Sequence, residues 1–201
     1  KKKIVYTKNL EIKYEKLIST IPLPDFLDIA FYNNQTFKDY SKKLKYNPVY
    51  NMNYALESAI ENNRHWIYYP EKKFDFYRIG FYHNFGDYLT PAKDKHSAYI
   101  EISCLPKDLK EYKNKEYTNF LKTQFFNAGV YSKKNAKILF EYPLFIKYGY
   151  VIFNNTRKKM IEELTRFFNN ISVCFIGRYA EWNYSAMTDS INKSLNIFEL
   201  L

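Results

Sequence analysis

Three runs, "RHWIYYP", "FDFYRIGFYHNF" and "HSAYIEISCL", follow one another between residues 64 and 105, each rich in aromatic and β-branched residues and set apart by Pro, Gly, Asp and Lys clusters. Such runs fit half-buried strands and the clusters between them fit turns, so the segment predicts an antiparallel meander. This constrains the fold more than any other feature, because a meander must bury one face against something else. "VYNMNYALESAI" adds a strand ahead of it. There Val49, Asn51 and Asn53 alternate with Tyr50, Met52 and Tyr54, and that alternation outweighs the helix preference of Ala, Leu and Glu. At the N-terminus, "IVYTKNLEIKYEKLIST" reads as a hairpin about Lys8-Asn9, with Asn9 able to take a left-handed turn conformation. Two prolines in "IPLPDFL" then stop the second strand and lead to a loop and a short helix. "KILFEYPLFIKYGYVIF" is a further strand, interrupted by Pro143.

The hydrophobic period changes twice. Leu109, Tyr112, Tyr117, Phe120, Leu121 and Phe125 follow helical spacing, predicting a helix near 107 to 128 with Gly129 as its C-cap. Met160, Ile161, Leu164, Phe167 and Phe168 define a second helix with Asn at both ends. "ISVCFIG" is then short and uniformly apolar, as in a strand of a parallel sheet buried on both faces. The fold class is therefore α+β: a mixed, largely antiparallel sheet with packed helices. Residues 1–150 are expected to form a sheet-and-helix domain, and residues 151–201 a helix–strand–helix of α/β character.

Composition narrows the function. The net charge of +10 invites an acidic partner, yet only five of 31 basic residues are arginine. Apart from Lys1-Lys2-Lys3, the lysines are scattered among acids, as in "KDLKEYKNKEY". No basic stripe for nucleic acid results. Cys104 and Cys174 stand outside any CxxC spacing and read as reduced core thiols of a cytoplasmic protein. His65, His83 and His96 lack metal-motif spacing, so no metal is expected. No apolar run has membrane-spanning length and "KKKIVY" is not a signal peptide. Without an initiator Met, the chain reads as part of a longer protein.

Chemistry-bearing patterns are few. Neither GxGxxG nor GxxxxGK[ST] occurs, and no GxSxG elbow is present. Glu71, Glu101, Glu141 and Glu181 read as solvated carboxylates. Two segments stand out. Arg78 lies mid-strand among aromatics, where it either pairs with Glu71 or snorkels, or else faces a cleft and holds an anionic group. In "GRYAEWNYSAMTDSI", Arg178, Trp182 and Tyr184 precede a helix whose N-cap is Thr188 or Ser185. They are either a packed strand end or one half of a cofactor site.

"LISTIPLP", "HWIYYPEKKFDFYRIGFYHNF" with "YIEIS", and "GRYAEWNYSAMTDSI" resemble, in order, motifs of the C-terminal portion of FAD-dependent flavoproteins of the amine oxidase and protoporphyrinogen oxidase superfamily, most of all UDP-galactopyranose mutase-like proteins of sugar and lipopolysaccharide metabolism. The resemblance implies a substrate domain plus the terminal strand and helix of a Rossmann-type FAD domain, whose GxGxxG half lies outside this sequence and is its expected partner. FAD would belong to the full-length parent, with none held by this chain alone. Cofactor-binding roles would fall to Gly177, Arg178, Trp182, Tyr184, Met187, Thr188 and Asp189. Substrate-binding roles would fall to Tyr77, Arg78 and Asn84, the arginine near the anionic part of a small molecule such as a nucleotide-sugar. Ala180 departs from the glycine common after the Arg-Tyr pair. The implied function is the substrate-binding fragment of a flavin-dependent oxidoreductase or UDP-sugar mutase-like enzyme, inactive alone. The alternative is a non-enzymatic basic, aromatic module binding nucleic acid or polyanionic glycan.

Overall fold

The computed structural model describes residues 3–30, 33–58, 62–92, 94–104 and 114–198. Packing divides the chain into two units: Lys1–Tyr46 with Val151–Leu201, and Asn47–Tyr150. This differs from the expected split at 150, because residues 1–46 pack with the C-terminal segment.

The Asn47–Tyr150 unit is built on a five-stranded sheet. Its strands are β4 (Tyr46–Ser58), β5 (Trp66–Tyr68), β6 (Arg78–Phe81), β7 (Lys95–Ser103) and β8 (Ala136–Val151), in the order β5-β6-β7-β4-β8. The pairs β5–β6, β6–β7 and β4–β7 are antiparallel, so the expected meander is present. Alternation divides the side chains between two faces. Tyr50, Met52, Tyr54 and Leu56 of β4, Ile79 and Phe81 of β6, and Ala98, Ile100 and Ile102 of β7 turn inward. They meet Leu121 and Phe125 of the helix Lys115–Asn127, numbered α3 in chain order after the two helices of the other unit. Asn114 caps α3, its side chain accepting from the Glu116 N–H, and Gly129 follows with φ +86°. The expected start near 107, with Leu109 and Tyr112, lies outside the described residues. Pro143 does not interrupt β8, contrary to expectation. β8 is an edge strand, where a residue without an N–H is tolerated.

The other unit begins with the hairpin β1 (Ile4–Tyr6) and β2 (Glu11–Lys13). Asn9 does not take a left-handed conformation there. Instead the Thr7 hydroxyl accepts from the Asn9 and Leu10 N–H groups and closes the turn. β3 (Leu17–Ser19) pairs in parallel with β9 (Val173–Phe175). The parallel character expected of "ISVCFIG" is present, although only Val173 of β9 is fully buried and the other two are half-buried. Cys174 is accordingly half-buried, whereas Cys104 is buried, and neither is in a disulfide. Helices α1 (Leu23–Ala30), α2 (Gln35–Lys43), α4 (Arg157–Asn169) and α5 (Met187–Phe198) complete the unit. Its core is a ring cluster in which Phe26 meets Phe168 at 5.3 Å and Phe175 at 5.0 Å, while Phe37 meets Phe168 at 5.8 Å. The two Phe26 contacts are edge-on and use the favourable geometry of aromatic quadrupoles. Phe167 and Phe168 on α4 reach the cluster because helical spacing puts them beside Leu164 and Met160.

Candidate functional site

The second face of the five-stranded sheet carries polar and aromatic side chains in rows set by strand register. Tyr68 pairs with Arg78, Arg78 with Glu101, and Glu101 with Asn51. One step along lie Trp66, Gly80, Tyr99 and Asn53. Side chains directly opposite in antiparallel strands touch, so register alone assembles the cluster.

The centre is an ion pair. Arg78 Nη2 lies 2.5 Å from Glu101 Oε2, with the two side chains 18% and 12% exposed. Arg78 Nη1 donates to the Tyr68 hydroxyl at 3.2 Å and Nη2 to the Tyr150 hydroxyl at 3.5 Å, while Tyr77 donates to Glu101 at 2.7 Å. Arg78 Nε is buried with no hydrogen-bond partner among the described residues. The guanidinium also faces the Tyr68 and Tyr77 rings. Burial alone would lower the Arg78 pKa, but the hydrogen bond and charge of Glu101 outweigh it and hold it above its ordinary value. Tyr77 is pushed up, first by burial and then by the Glu101 hydrogen bond, so it stays a neutral donor. Sequence reading left Arg78 either paired with Glu71 or open to an anion; its partner is Glu101. Glu101 is therefore not the solvated carboxylate its sequence context suggests, and its place opposite Arg78 depends on register.

In the second row, a Cβ on Gly80 would collide with the Tyr99 ring, so the missing side chain lets that ring lie across the sheet. Tyr82 packs on Tyr99 at 4.7 Å and donates to Asn53 at 3.1 Å. Burial pushes the Tyr82 phenol up to about 12. Asn84 does not join the Arg78 cluster through its side-chain amide, which donates to the Arg64 carbonyl at 2.5 Å.

The residues assigned to a cofactor lie in the other unit and are not equivalent. Gly177 ends the β9 segment with φ +99°, and nothing stands within 4 Å of where its Cβ would be. Its N–H donates to Glu181 Oε2 at 3.0 Å, and the same carboxylate pairs with Lys193. The Arg178 guanidinium lies over the Tyr184 ring at 5.0 Å. Gly177, Arg178, Tyr179, Ile191 and Leu195 border an open cleft of about 630 Å³. Trp182 is fully buried with φ +52°, and its carbonyl accepts from Arg157 Nε at 2.8 Å. It is a packed loop anchor. Thr188 and Ser185 do not cap α5: the Asp189 carboxylate reaches back to the Ala186 N–H at 2.7 Å, which is half of a capping box. Thr188 sits inside the first turn and Met187 projects, 85% exposed. Among the described residues no three His, Cys, Asp or Glu are placed to hold a metal, and no helix is long and apolar enough to cross a membrane.

No family model and no curated protein matches the sequence. Solved structures do match in fold. A reduced UDP-galactopyranose mutase shares 19% identity with a TM-score of 0.74, over 90% of this chain and 39% of its own. A candidate protoporphyrinogen oxidase from an Exiguobacterium species shares 9% with a TM-score of 0.70, over 98% and 44%. An oxidoreductase from Methanosarcina mazei shares 9% with a TM-score of 0.59, over 96% and 44%. The chain thus shares the fold of these three proteins over nearly all of its length. It spans about two fifths of the length of these proteins.

Proposed function

We propose that this chain is the substrate-binding portion of a flavin-dependent oxidoreductase or mutase-like enzyme, acting on a small molecule held at the tyrosine-rich face of its sheet. The observation that carries this reading is the fold likeness to a UDP-galactopyranose mutase over 90% of the chain. The β3–β9 pair adds support. A two-stranded parallel sheet of three-residue strands is too small to stand alone, and parallel sheets are ordinarily covered on both faces, so further strands from outside this sequence would complete it. That partner is the proposed FAD-binding half.

FAD fits part of the assigned set. Gly177 offers open space at a left-handed turn, Arg178 borders the cleft, and Tyr184, Met187 and Thr188 are exposed. Trp182 and Asp189 support the loop and helix from within. Bound FAD would supply the redox-active ring, and the chain would supply Tyr77 and Arg78 for the substrate, with Asn84 on the neighbouring turn.

The experiment compares two variants of the full-length protein by flavin absorbance and substrate affinity. Arg178→Lys should lose flavin, because lysine lacks the planar fork. Arg78→Lys should weaken substrate binding at least tenfold and keep its flavin. Reversed effects exchange the two assignments, and no effect from either variant overturns the reading. Salt-sensitive retention on heparin or single-stranded DNA would favour the non-enzymatic binding module instead.

A further inference from the structure

We propose that Glu101 is a built-in counterion that sets the charge preference of the Arg78 site, so that this face takes a neutral ligand group bearing hydroxyl or amide functions rather than a phosphate or carboxylate. This rests on the reading of the face as substrate-binding and names the kind of group it selects.

An arginine that clamps a phosphate presents two parallel N–H groups at one edge and a net positive charge. Arg78 offers neither. Nη2 is engaged by Glu101 at 2.5 Å and by Tyr150 at 3.5 Å, and Nη1 by Tyr68 at 3.2 Å. Of the two N–H groups that remain, the one on Nε is buried, and the one left on Nη1 cannot form a two-pronged clamp by itself. The pair carries no net charge, so an arriving anion meets the Glu101 carboxylate as closely as the guanidinium, and in a half-buried site that repulsion is poorly screened. Replacing Glu101 with the anion would be no gain either, since the expelled carboxylate stays beside Tyr77, which now holds it at 2.7 Å.

The atoms that a ligand can reach are those of phenols. Tyr68 is exposed, and because its oxygen accepts from Arg78 its own O–H is free to point outward. The exposed Tyr82 and Trp66 flank the Tyr99 ring on the same face. Neutral hydroxyl donors among ring faces suit a ligand group with C–H surface on one side and hydroxyls or an amide on the other.

The test titrates the full chain with inorganic pyrophosphate by calorimetry at low ionic strength, in an Arg178→Gln background that removes the arginine beside the cofactor cleft. Pyrophosphate should bind the parent and its Arg78→Gln variant equally weakly, within twofold. Glu101→Gln should bind it at least tenfold more tightly, and Arg78→Gln combined with Glu101→Gln should lose that gain. A tenfold loss of pyrophosphate affinity on Arg78→Gln alone, or no gain from Glu101→Gln, overturns the proposal. Near-UV circular dichroism checks folding; if Glu101→Gln does not fold, the parent against Arg78→Gln decides. Flavin retention in the full-length protein is a separate readout, so this inference can fail while the proposed function stands.

Discussion

Arg78 and Glu101 illustrate how one cross-strand partner changes what a residue can do. Alone, a mid-strand arginine is either costly or a site for an anion; opposite Glu101 it is one half of an ion pair. Tyr54 is the opposite case. Its ring packs 4.8 Å from Phe125 in the sheet core, and its hydroxyl has no hydrogen-bond partner among the described residues. Burial drives its pKa well above the ordinary tyrosine value. Removing an unmet buried hydroxyl relieves a desolvation penalty, so Tyr54→Phe should stabilise the protein by about 1 kcal/mol, raising the urea midpoint. A fall of that size would mean that the hydroxyl makes a bond worth more than its burial costs.

Among the elements, the turn at residues 82–84 and strand β7 are tied by two histidines. The His83 and His96 rings stack at 4.2 Å, His83 Nδ1 lies 3.2 Å from the Ser97 carbonyl, and His96 Nδ1 lies 3.0 Å from the Tyr131 hydroxyl. Burial lowers both pKa values, and the neighbouring His83 charge lowers His96 further, against a small opposing pull from Asp94. Their folded pKa values lie below the unfolded reference of about 6.5, so the unfolded chain binds more protons. The stability they contribute is present above that reference and is lost as pH falls through the folded values. Stability should therefore drop between neutral and mildly acidic pH, and His83→Gln with His96→Gln should flatten that drop. A double variant with the same pH slope as the parent would assign the acid sensitivity to other groups.

At the scale of the whole molecule, the chain spans about two fifths of the proteins whose fold it shares, and its sequence has no phosphate-binding GxGxxG turn. Affinity for FAD depends on such a turn at a strand-to-helix junction. The purified chain should be colourless, and visible absorbance after purification checks this; stoichiometric bound flavin would show that the cleft beside Arg178 holds the cofactor unaided.

The sequence by itself determined the element types. Alternation in "VYNMNYALES" and in the aromatic meander, helical spacing in α3 and α4, and the uniform apolarity of "ISVCFIG" are local signals, and local sterics and burial convert them directly into strand or helix. Arg78 and Arg178 stand out for a similar local reason, a charge among aromatics in a linear chain, whereas Tyr77 is implied only by the resemblance. Only the tertiary structure decided partners. Glu101 meets Arg78 because of a register set across a long connection, and a one-residue slip would have put it on the core face. Trp182 went to the core, and the Asp189 carboxylate turned back to the Ala186 N–H, through packing and a backbone path that residue spacing does not encode. Residues 1–46 joined the C-terminal segment because β3 found β9, a pairing of residues far apart in the chain that periodicity does not encode.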